Sequence, residues 1–104
     1  MGEAEPFIDL VGASGAQYRF RKIEGQLPPM GGNFVCVHRD TDGLRVVGCG
    51  KARTLARALA EDIKSLGAQG ELYVRLNVSG ALRDSEHEDL VAALPQPLTV
   101  LVSD

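Results

Sequence analysis

At 104 residues the chain is long enough to bury one hydrophobic core and too short for a second, so 1–104 reads as a single domain. An apolar share of 44% and a charged share of 24% are ordinary for a globular protein, and no apolar run approaches the ~20 residues that cross a bilayer. The net charge of −3 argues against nucleic-acid binding spread over the whole surface, because such binding draws on neutralised phosphates; a local basic stripe stays open.

The start of the chain, Met1-Gly2-Glu3-Ala4-Glu5-Pro6, has neither the basic residues nor the apolar stretch of a secretory signal, so the cytoplasm is the expected compartment and no membrane partner is expected. There Cys36 and Cys49 are expected to be reduced thiols, and the Asn77-Val78-Ser79 sequon to be idle.

Phe7 to Val11 and Gln17 to Arg21 flank the small-residue stretch Gly12-Ala13-Ser14-Gly15-Ala16 and predict an N-terminal hairpin. Glu24 to Gly32 holds two prolines and three glycines and breaks all periodicity, as a loop does. Asn33–Arg39 and Leu44–Cys49 predict a second hairpin around Asp40-Thr41-Asp42-Gly43. A three-residue loop there pairs Asp40 with Leu44, His38 with Val46 and Cys36 with Gly48, which puts Phe34, Cys36, His38, Val46 and Gly48 on one face; a two-residue loop instead pairs His38 with Val47 and Cys36 with Cys49.

From Ala52 to Leu66 the helical spacing of Leu55, Leu59, Ile63 and Leu66 predicts a helix stopped by Gly67. Alternation of Leu72, Val74, Leu76 and Val78 with Tyr73, Arg75 and Asn77 predicts a strand over 71–78. A second helix is expected from Ser79 or Gly80 to Leu94, closed by Pro95, with Leu82, Glu86, Leu90 and Leu94 on one stripe. Leu98 to Val102 then forms an edge strand or packs as coil. The fold class is α+β: a small, mostly antiparallel sheet flanked by two helices.

The order of these elements and their local motifs resembles the GIY-YIG nuclease domain. Gly32-Asn33-Phe34 stands where that family has Gly-Ile-Tyr, and Val46-Val47-Gly48 where it has Tyr-Ile-Gly. Lys51 to Leu59 is similar to the basic helix start that follows, and Glu88 to Leu94 with Pro95-Gln96-Pro97 is similar to the closing helix and its Gln-Pro ending. The resemblance covers 32–97 as a ββαβα core and leaves 7–21 as an added hairpin. It implies a divalent-metal-dependent DNA nuclease, in which phenols activate water and steady phosphate, a first-helix arginine meets phosphate and a last-helix glutamate holds the metal. Here both phenols are gone: Phe34 and Val46 have no hydroxyl to move a proton. Loss of one positioned acid–base group removes about 10²–10⁴-fold of rate. The resemblance therefore implies a non-catalytic interaction domain with a vestigial site at Phe34, Val46 and Gly48, without a cofactor, binding a protein or DNA as a monomer or weak oligomer. The alternative is a working endonuclease with magnesium or manganese and substituted catalytic groups.

The residues that would carry either activity follow from charge and phase. Arg53 and Arg57, with Lys51 before them, are the candidate nucleic-acid contacts near the first helix start; the competing reading is a solvated surface with Arg57 paired to Glu61. Glu86 falls on the apolar stripe, where a lone charge is costly, so it needs a partner, either a metal ion or an arginine. Glu88 is the alternative metal ligand when the Gln96-Pro97 ending is aligned. His38 is the candidate base beside Arg57 in a nuclease, with Tyr18 or Tyr73 as further substitutes for the lost phenols.

Overall fold

The computed structural model describes residues 6–23, 28–41, 43–58, 70–95 and 98–103. Six strands, β1 (Phe7–Val11), β2 (Gln17–Lys22), β3 (Gly32–Asp40), β4 (Gly43–Ala52), β5 (Glu71–Leu76) and β6 (Thr99–Ser103), form one sheet in the order β1-β2-β5-β3-β4-β6. Helix α1 is described over Leu55–Ala58 and α2 over Gly80–Ala93. The α+β class stands, and the sheet is mixed: β4 and β6 run parallel, while the other four neighbouring pairs are antiparallel. The remainder of the first predicted helix, with Glu61, and the Gln96-Pro97 ending lie outside the described residues.

Each face of the sheet carries a packed cluster. On one, Phe34, Ala52, Leu55 and Val74 pack together; because Leu55 comes from α1, this is the α1 face. On the other, Phe20, Val35, Val37, Cys49 and Tyr73 pack against Leu90 of α2. Each fully buried side chain of the size of Phe34 or Leu90 stabilises by about 1.5–3 kcal/mol. Helix α2 starts at Ser79, whose hydroxyl accepts from the Leu82 amide at 3.3 Å, and stops before Pro95, which has no amide to continue the ladder.

The β3–β4 hairpin departs from both expected registers near its turn. Asp40 pairs with Gly43, His38 with Arg45 and Val37 with Val46; a bulge between Cys36 and Val37 then brings Cys36 opposite Gly48. The extra residue in β4 reverses the alternation, so Val46 turns to the α2 face and packs with the Val37 cluster, while Phe34 stays on the α1 face. The expected single face of Phe34, Cys36, His38, Val46 and Gly48 is thus divided. Gly43 has φ of +121°, which a side chain rarely tolerates.

Two further corrections concern helix phase. Leu82 is 56% exposed rather than part of the buried stripe, which runs through His87 and Leu90. Arg53 lies between the end of β4 at Ala52 and the start of α1 at Leu55, not within the helix.

Candidate functional site

Helix α2 carries the densest polar arrangement among the described residues. Glu86, 12% exposed at its side chain, accepts a hydrogen bond at 2.7 Å from Nε of Arg75 on β5. The Arg75 guanidinium also lies 5.5 Å from the ring centroid of Tyr18. One turn further along the helix, Asp89 accepts from the Tyr18 hydroxyl at 2.7 Å, the Ser14 hydroxyl at 2.6 Å and the Ser14 amide at 2.8 Å. The Ala13 amide donates to the Asp89 carbonyl at 3.0 Å. Gly12 is required where this loop meets the helix, because a Cβ there would meet the Asp89 carboxylate.

These bonds set the protonation states. The Ser14 and Tyr18 hydroxyls hold the Asp89 carboxyl below the usual carboxylate range, and the same carboxylate, with burial, pushes the Tyr18 phenol up. Tyr18 is therefore a fixed donor that fastens the β1–β2 hairpin to α2, and its proton is held rather than offered.

Asp84 and Arg83 of α2 are engaged as well. Lys51 donates to Asp84 at 2.8 Å. His87 is 7% exposed beneath them; burial first, then the Lys51 charge, lowers its pKa from 6.5. At the start of the helix Arg83 donates to the Asn77 carbonyl at 2.9 Å, and the buried Asn33 and Asn77 side chains bond each other at 3.2 Å. The Asn77 amide nitrogen, the atom a sugar would modify, is used inside the fold, in keeping with an idle sequon.

The proposed site residues are dispersed across this framework. Phe34 is 2% exposed on the α1 face, its ring lying where a Cβ on Gly50, its cross-strand partner, would sit. Gly48 pairs with Cys36 in the same hairpin. Val46, Lys51 and Glu86 belong to the α2 side; His38 is half-buried near the hairpin end. Arg53 and Arg57 are exposed by the start of α1. That helix start is already capped: the Leu55 amide donates to the Met30 carbonyl and the Ala56 amide to the Pro28 carbonyl, so these two donors do not face an anion.

A cation requires converging anionic or neutral donors, and Glu86 has a guanidinium against it instead. Glu88 is exposed. Among the described residues no three His, Cys, Asp or Glu side chains group as metal ligands would. The residues around Glu86 do not fit a divalent ion. Cys36 and Cys49 are buried thiols on opposite sheet faces; burial raises the Cys49 pKa to about 11, which leaves little thiolate near neutrality. No helix among the described residues is long and apolar enough to cross a membrane.

Sequence reasoning identified Glu86 as needing a partner but not Arg75, and it missed Asp89 and Ser14. The available signal was the helical offset of three that sets Asp89 beside Glu86, together with the small-residue loop at Gly12 to Ala16.

The geometry defines a small α+β domain whose central sheet is packed by α1 on one side and α2 on the other. Comparison with protein-family models, curated proteins and solved structures yields no match.

Proposed function

We propose that the chain is a non-catalytic interaction domain, a GIY-YIG-like fold kept for its packing after its reaction centre decayed, which acts by binding another protein. The observation that carries this is the Arg75–Glu86 pair: the carboxylate that a metal site would use is largely buried and neutralised from within the fold. Phe34, at the position of the first lost phenol, supports the same reading, since it is a core side chain on the opposite sheet face. A hydrolytic site needs its proton-transfer group and its charge-stabilising group within reach of one phosphate. Here the position of the first lost phenol, Phe34, and that of the metal-holding carboxylate, Glu86, belong to opposite sheet faces.

The test is incubation with supercoiled and branched DNA in magnesium or manganese. The expected result is intact DNA. Cleavage that vanishes in Glu86→Ala would establish the nuclease alternative and remove this proposal. Binding of DNA without cleavage is a separate outcome, read by NMR titration at low salt: shifts centred on Arg53, Arg57 and Gly48 would move the assignment from protein to DNA.

A further inference from the structure

On the α1 face, beside the Phe34 cluster and sharing Val74 with it, the sheet carries an open groove of about 660 Å³ between β1, β2 and β5 on one side and Pro28-Pro29 on the other. Its floor combines Phe7, Val74 and Leu76 with Arg19 and Arg21. Phe7 is 43% and Leu76 52% exposed, so apolar area stands in water beside two guanidiniums. Arg19 lies over the Phe7 ring at 5.5 Å and pairs with Asp9 at 3.0 Å. Arg21, directly across from Val74, has no hydrogen-bond or ion-pair partner among the described residues.

Building on the binding-domain reading above, we propose that this groove takes an acidic segment of another protein, with apolar anchors on Phe7 and Leu76 and a carboxylate on Arg21. Charge selects this occupant. The chain carries −3 overall, yet the groove floor is cationic, a segregation that favours an anionic ligand and speeds its encounter. A guanidinium binds carboxylate through two parallel hydrogen bonds, and arginine and aromatic residues are the usual anchors of protein interfaces. A nucleic acid fits less well. Single-stranded binding needs successive rings for successive bases, and among the described residues the groove offers Phe7 alone. A second copy docking groove to groove about a two-fold axis would set one cationic floor against another.

The test is selection of short random peptides displayed on phage against the full chain, with charge-matched variants as controls. The expected result is enrichment of sequences with excess Asp and Glu beside Leu or Phe. Their affinity should fall about tenfold or more in Arg21→Glu and in Leu76→Asp, and should weaken with salt. Circular dichroism checks that these variants fold, and the milder Arg21→Gln together with the salt series on the unaltered chain keeps the test decisive if either fails. No enrichment, enriched clones without acidic excess, or clones that bind Arg21→Glu unchanged would each overturn the proposal. Oligothymidine binding lost in Arg21→Glu, or self-association lost in Arg21→Glu, would overturn it in favour of nucleic acid or a second copy. Glutamate-86-dependent DNA cleavage strikes the parent reading alone, whereas a failed peptide selection strikes only the groove.

Discussion

The two faces of the sheet use their polar residues in opposite ways. On the α2 face Arg75, Glu86, Tyr18, Asp89, Lys51 and Asp84 bond one another, and they fix a helix and a hairpin against the strands. On the α1 face a compact cluster around Phe34 gives way to a groove where Arg21 stands with apolar neighbours and no partner among the described residues. Charges that satisfy each other inside the fold add rigidity and have little left for a substrate. An unmatched charge beside exposed apolar area stores the opposite capacity. On the proposed reading, Glu86, the carboxylate that suggests catalysis in the sequence, serves the fold through Arg75.

Core truncation gives the largest expected effect and tests whether the α1 face is a true second core. Phe34→Ala should cost about 3–5 kcal/mol, read as a lower denaturation midpoint, because the ring fills space between β4 and α1. A change below about 1 kcal/mol would mean that this face contributes little. Next, Gly50→Ala should cost about 1–3 kcal/mol, since the added methyl meets the Phe34 ring and the Leu101 carbonyl.

Glu86→Ala should cost a similar or smaller amount, about 1–3 kcal/mol, by leaving the Arg75 guanidinium without its acceptor in a partly buried setting. If Glu86 instead served a cation, the variant would be neutral or stabilised in metal-free buffer. That outcome would break the contrast between the faces.

Acid should act through the α2 face. His87 is held neutral in the folded chain, with Lys51, Asp84 and Glu88 as the charges facing it, so the unfolded chain takes up the proton first. Stability is therefore expected to decline as pH drops below 6.5, and His87→Gln should flatten that decline. At lower pH the depressed carboxyls of Asp89, Glu71 and Asp84 add a loss of the same sign, as each must protonate and give up its donors. The smallest effect belongs to the groove: Arg21→Glu should alter stability by no more than about 0.5 kcal/mol while weakening peptide binding about tenfold or more.

Much of the fold was legible because its signals are local. The turn at Asp40 to Gly43, the alternation from Glu71, the serine before α2 and the proline after it mark elements without reference to distant residues. The alternation in β5 misled in one respect. It presented Leu72, Val74 and Leu76 as the single apolar face, yet Tyr73 is fully buried and Leu76 is half in water, because β5 lies inside the sheet with packing on both sides. The bulge at Cys36 left no trace in composition, and one inserted residue was enough to separate Val46 from Phe34. The candidate site was legible as a requirement and not as an arrangement: a glutamate on an apolar stripe demands a partner, but Arg75 belongs to another element and Ser14 to a loop near the opposite end of the chain. Such pairings are set by how strands and helices dock, which periodicity does not encode.

The strand order also governs how quickly the chain can reach its native form. Only β1–β2 and β3–β4 are joined by short turns; β2 must find β5, so that Arg21 meets Val74, and β4 must find β6, so that Gly48 meets Thr99. Closing those long loops precedes any reward from the contacts they make, which places refolding on the order of milliseconds to seconds rather than microseconds. During synthesis β4 has to wait for the final strand to emerge before its outer edge is covered.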